Sequence, residues 1–119
     1  MIIAIGNDHA GVGVKEKIQQ HLISKGHSVI NKGYDGKESV DYPDFIHPVS
    51  IEVKEKKAEI GVIVCGSGNG AAMTANKHKE KIIVKISVDE SVITKYTIKQ
   101  IITIIDNIIE KYSTLFLLM

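Results

Sequence analysis

The chain has 119 residues, 44% hydrophobic and 24% charged, with a formal net charge of +1, which describes one soluble-type globular domain over residues 1–119 with a single core. All 15 basic residues are lysine, no basic stripe is visible, and two Phe, four Tyr and no Trp offer no stacking platform, so neither composition nor charge supports a nucleic-acid partner. No apolar run approaches the roughly 18 residues of a membrane span, and five scattered histidines with one cysteine show no metal-ligand spacing, so no membrane partner or metal is expected.

Residues 2–5 form a short apolar strand, left by the turn Asn7-Asp8-His9-Ala10-Gly11. Residues 12–25 read as an amphipathic helix. Val14, Ile18 and Leu22 share one face with His21 beside them, and Lys15, Glu16, Lys17, Gln19 and Gln20 face water. Gly26 is placed to end it. Residues 27–31 make a second strand, shorter and more polar, as suits a sheet edge. A long loop over 32–44 contains Gly33, Gly36 and Pro43. A helix over about 44–57 follows, with Ile46, Val49, Ser50 and Val53 inward and Pro48 near its first turn.

Residues 60–64 form a third strand that ends on Cys65. Beyond it lie Gly66, Gly68 and Gly70 at alternate positions, and then a helix of about eight residues ending near His78. Residues 81–87 give a fourth strand. In the tail, residues 91–112 keep helical spacing, although β-branched residues over 100–105 also fit a fifth strand. This βαβαβαβ order predicts a Rossmann-like three-layer α/β/α fold around a mainly parallel sheet of four or five strands. Asp8-His9, the 32–44 loop and Cys65–Gly70 then meet at the carboxyl ends of the strands, where such sheets bind ligands.

A lone cysteine is more often a small core residue than a reactive one. Cys65 departs from that pattern by its strand-end position, its glycine-rich neighbour and a nearby helix N-terminus, which would lower a thiol from about 8.5 towards neutrality. A thiolate there could act as base or nucleophile. The segment Cys65-Gly66-Ser67-Gly68-Asn69-Gly70 is neither a Walker loop nor a dinucleotide fingerprint, and by itself could be a tight turn. Beside a base, its N–H groups and the Ser67 hydroxyl suit a developing oxyanion. Asp8 and His9 read either as turn residues or as a pair that holds sugar hydroxyls. Tyr42 could reach over the crevice, and Lys37, Lys77 and Lys79 are the nearest cations for a phosphate.

Four motifs in this order carry a resemblance: Asn7-Asp8-His9-Ala10-Gly11, Asp41-Tyr42-Pro43-Asp44, Cys65 to Gly70, and Asn76-Lys77. Over about residues 1–80 the chain resembles the ribose-5-phosphate isomerase B / galactose-6-phosphate isomerase family. The resemblance implies a cofactor-free, metal-free aldose–ketose isomerase on a Rossmann-like fold, working as a homodimer or homotetramer on a sugar phosphate; the single cysteine, which can form no internal disulfide, makes a reducing cytoplasm the expected location. It implies that Cys65 is the general base and that Gly66 to Gly70, with Ser67, hold the enediolate. Asp8, His9, Tyr42 and Asn69 would then contact substrate. After Lys79 the chain departs from the family pattern: residues 94–100 hold no histidine where the ring-opening one is expected, and no arginine is present to grip phosphate. The tail therefore reads as divergent or truncated, as a frameshift would leave it. A non-catalytic homologue that binds sugar phosphate or pairs with another subunit is the second reading, and a flavodoxin-like binding domain a distant third.

Overall fold

A computed structural model describes residues 1–41, 43–66, 83–87 and 98–118. In chain order these give β1 (Ile2–Asn7), α1 (Val12–Ser24), β2 (Ser28–Asn31), α2 (Pro43–Lys54), β3 (Ile60–Cys65), β4 (Ile83–Ser87) and α3 (Ile98–Leu118). The sheet order is β2-β1-β3-β4 and every pairing is parallel, with Ile3 opposite Val29 on one side and Ile60 on the other. The expected α/β/α architecture is thus observed, and the polar second strand lies at an edge.

Strand alternation divides the core into two layers. Ile3, Ile5, Ile60, Val62 and Val64 pack with Ile18 and Leu22 of α1 and with Ile101, Ile105 and Ile109 of α3. Ala4, Ile63 and Cys65 point the other way, onto Ile46, Val49 and Val53 of α2. The four-residue spacing of Ile101, Ile105 and Ile109 puts them on one helical stripe, and full burial of each contributes about 2 kcal/mol. That stripe explains why residues 100–105 are helical despite their β-branched content: a period near 3.6 places Ile101 and Ile105 in the core with Ile109, while Ile104 stays exposed. His21 Nε2 joins α1 to α3 through Asp106, at 2.9 Å from either carboxylate oxygen.

Helix α1 ends in a Schellman motif. Gly26 sits at φ +89°, with Gly26 N–H donating to the Ile23 carbonyl (3.0 Å) and His27 N–H to that of Leu22 (3.1 Å). His27 beyond it is partly buried, and that burial lowers its imidazole pKa below the usual value. Helix α2 closes in the same pattern but with Lys56 at φ +61° in the glycine position; Lys56 N–H donates to Val53 and Lys57 N–H to Glu52. A side chain in that region is strained by about 1 kcal/mol. Lys56→Gly is therefore expected to raise the urea midpoint by an amount equivalent to about 0.5–1 kcal/mol, read by circular dichroism with the m-value unchanged.

Two local expectations are corrected. Pro48 lies in the second turn of α2, so the ladder bond that would close on the Asp44 carbonyl is missing there. Lys15, placed with the water-facing residues of α1 by its charge, is 0% exposed and paired with Asp35 of the long loop. Lys15, Ile18 and Leu22 stand at i, i+3 and i+7, so the helical stripe carries the lysine inward whatever its charge.

Candidate active site

The site is built where β1 and β3 end side by side. The register that pairs Asn7 with Val64 brings the next residues of both strands, Asp8 and Cys65, to the same edge. Asp8 is the cap of a single 3-10 turn, His9–Gly11, that leads straight into α1. Its Oδ1 accepts from Ala10 N–H (3.0 Å) and Gly11 N–H (3.2 Å), as a short acidic side chain does at a helix start. Its Oδ2 accepts from Gly66 N–H at 3.2 Å. One carboxylate therefore ties the end of β1, the start of α1 and the turn after Cys65 together. The Gly66 N–H, expected to face an oxyanion, is directed at Asp8.

Cys65 is 4% exposed and its side chain belongs to the layer under α2, beside Ile63, Ile46 and Val49. His9 is exposed at the opening, and its Nδ1 accepts from the Val40 N–H at 3.4 Å. Acceptance at Nδ1 leaves the neutral ring's proton on Nε2, where it can donate to a ligand oxygen. The long loop thus meets the 3-10 turn at His9, and the cap of that turn, Asp8, meets the end of β3 at Gly66. Of the residues singled out by the sequence, the structure brings Asp8, His9, Cys65 and Gly66 to one edge. Tyr42, Ser67, Gly68, Asn69 and Gly70 lie outside the described residues, as do Lys77 and Lys79.

Sequence reasoning missed how the loop is held. Asn7, 0% exposed, pairs with both backbone groups of Tyr34: its Nδ2 donates to the Tyr34 carbonyl (2.7 Å) and its Oδ1 accepts from the Tyr34 N–H (3.0 Å). The same Nδ2 donates to the Asp8 carbonyl at 2.9 Å. The Tyr34 ring leans on Phe45 of α2 with centroids 5.4 Å apart, and its hydroxyl accepts from Glu38 N–H at 3.0 Å. Asp35 binds buried Lys15 and accepts more weakly from Asn31 Nδ2 (3.3 Å). The Lys15 hydrogen bond holds the Asp35 carboxyl below the ordinary carboxylate range against a smaller opposing effect of burial. The only sequence signal for the Lys15–Asp35 pair was the lysine on an apolar stripe; nothing local marks Asn7 as the holder of the loop, because Tyr34 lies 27 residues away.

Among the described residues, no group of three or more His, Cys, Asp and Glu is placed to hold a metal ion, and no helix is long and apolar enough to cross a membrane. A parallel sheet with helices on both faces defines an α/β protein, and the polar cluster lies at its carboxyl edge, where such sheets bind ligands.

Comparison narrows the class. The family model described as Ribose/Galactose Isomerase matches residues 3–109, and the chain belongs to that family. It is 39% identical over 75 residues to ribose-5-phosphate isomerase B of Escherichia coli, covering 63% of this chain and 50% of that protein. It is 42% identical over 79 residues to the galactose-6-phosphate isomerase subunit LacB of Clostridium acetobutylicum, covering 66% and 46%. The chain thus spans about half the length of these curated relatives. Among solved structures, a ribose 5-phosphate isomerase from Thermotoga maritima superposes with a TM-score of 0.80 at 26% identity, over 88% of this chain and 83% of that one. Ribose-5-phosphate isomerase B of Clostridium thermocellum gives 0.76 at 32%, over 89% and 82%. The family model and the structural superpositions extend past residue 80, whereas the matches to these two curated relatives span 75 and 79 residues.

Proposed function

We propose that this chain is an aldose–ketose isomerase that interconverts ribose 5-phosphate and ribulose 5-phosphate through a cis-enediolate, as a single domain and without metal or cofactor. The observation that carries the reading is the meeting of Asp8-His9 and Cys65-Gly66 at adjacent strand ends, tied by the Asp8–Gly66 hydrogen bond. In this reading Cys65 takes the C2 proton of the opened aldose and returns it to C1, while the O2 proton passes to O1. Because the Gly66 N–H is engaged by Asp8, the negative oxygen of the enediolate falls to Ser67, Gly68, Asn69 and Gly70. His9 Nε2, and Tyr42 from the loop, contact the sugar phosphate. The relatives' names support the substrate class, as does the ribose-5-phosphate isomerase B of Mycoplasma genitalium, solved with bound ribulose-5-phosphate.

Galactose 6-phosphate is the alternative substrate, favoured by the similarity to the LacB subunit. A second reading, a homologue that binds sugar phosphate or pairs with another subunit without turnover, rests on the absence of arginine and of any histidine in residues 94–100. Assembly as a homodimer or homotetramer and a cytoplasmic location belong to the proposal. The test is conversion of ribose 5-phosphate and of galactose 6-phosphate by the purified protein, with calorimetric titration of each. Turnover of ribose 5-phosphate supports the first reading. Binding without turnover selects the second, and neither binding nor turnover removes both.

A further inference from the structure

The loop over residues 32–41 reaches the proposed site through His9, and at Tyr34 its backbone is held by the Asn7 side chain, next to the Lys15–Asp35 pair. Asn7 is fully buried at the last position of β1 and uses its amide as a two-point clamp on the Tyr34 backbone, donating to its carbonyl and accepting from its N–H. The amide orientation follows from the partners. Flipped, it would set its NH2 against the Tyr34 N–H and its oxygen against the Tyr34 and Asp8 carbonyls. A second feature is built around the same contact: a Cβ added to Gly33 would collide with Asn7 Oδ1. Glycine is therefore needed beside Tyr34 for the amide to reach it. The Asn7–Asp8 bond then continues into the carboxylate that grips Gly66.

We propose that Asn7 is a positioning residue of the active site: by clamping Tyr34 it sets the 32–41 loop so that the Val40 N–H meets His9 and fixes that ring for substrate. The inference rests on the isomerase reading for its kinetic consequence, but not for its structural one. Asn7 touches no proposed substrate atom; it acts through the loop and His9. Cys65 stands on β3, outside the clamp, so loosening the loop weakens substrate binding more than proton transfer.

The test compares Asn7→Asp, which keeps the acceptor for Tyr34 N–H but loses both donated bonds, with Asn7→Leu, which loses all three, and with Gly33→Ala, which pushes on the clamp from the other side. In the purified protein, Asn7→Leu and Gly33→Ala are expected to raise KM for ribose 5-phosphate about tenfold with kcat within about threefold of the unaltered chain, and Asn7→Asp, which sets a buried carboxylate oxygen against the Tyr34 and Asp8 carbonyls, to raise KM at least as far. The double variant Asn7→Leu with Gly33→Ala should be no worse than the more affected single variant, because both break one contact. Amide hydrogen exchange supplies a readout independent of turnover: Tyr34 and Val40 should exchange faster in Asn7→Asp and Asn7→Leu while Ile3 and Ile5 keep their protection. A fall in kcat with KM unchanged, or folded variants with unaltered kinetics, would overturn the role. If the unaltered chain proves inactive, the isomerase reading fails, and exchange alone decides: faster Val40 exchange supports the clamp, and unchanged Val40 exchange sinks it.

Discussion

Cys65→Ala is expected to lower ribose 5-phosphate turnover by about 10²–10⁴-fold, the usual worth of a positioned general base, while the protein stays folded. The fold survives because little is removed. Cys65 packs under α2 among Ala4, Ile46, Val49, Val53, Ala58 and Ile63, and loss of one sulfur from such a layer costs about 1 kcal/mol. Cys65→Ser keeps the shape but replaces the thiol with a hydroxyl that is a far weaker base at neutral pH, so it should resemble Cys65→Ala in rate. Steady-state kinetics alongside thermal melts separate the two effects. As the proposed base, Cys65 would contact the proton in flight more than the bound sugar, so the loss should fall on kcat with KM little changed. Equal rates in Cys65→Ala and the unaltered chain would remove Cys65 from the role of base.

Asp35→Ala is expected to destabilise the fold by about 3 kcal/mol, although Asp35 is itself 62% exposed. The reason is its partner. Lys15 is 0% exposed, and without Asp35 its ammonium would stay buried uncompensated or be expelled with part of α1. The reverse change should be mild. Lys15→Met puts an apolar chain of similar length in the same space and leaves Asp35 hydrated at the surface, for a cost within about 1 kcal/mol. Urea denaturation of both variants measures the asymmetry; equal losses would mean that the pair acts as two surface charges.

The pair also has an acid signature. The Asp35 carboxyl is held below its ordinary value, so the stability it contributes is present above about pH 4 and is lost as pH falls through the depressed value. Urea midpoints measured between pH 6 and pH 2.5 should therefore fall less steeply below pH 4 in Lys15→Met than in the unaltered chain. An acid limb of the same slope in both would assign it to other carboxylates.

These expectations show which parts of the molecule were readable beforehand. Apolar runs such as 60–64 and stripes such as Ile18–Leu22 announced parallel strands and covering helices, because burial leaves few other periodicities open. The strand-end placement of Asp8 and Cys65 followed from that order alone. The charge of Lys15 argues for water while its helical phase turns it inward, and over 100–105 β-branched content favours a strand while spacing favours a helix.

What the sequence determined by itself was the layering, the edge at which a ligand would bind and the family motifs, all of them local or periodic signals. What only the tertiary structure decided was who holds whom at that edge. Asp8 spans 58 residues to reach Gly66, Asn7 spans 27 to reach Tyr34, and His9 spans 31 to meet Val40. Hydrogen bonds over such separations depend on strand register and loop path, and each partner is satisfied only once the sheet has set its distance and direction. No spacing along the chain encodes them, and the tie that the Asp8 carboxylate makes to Gly66 exists only once the sheet has formed.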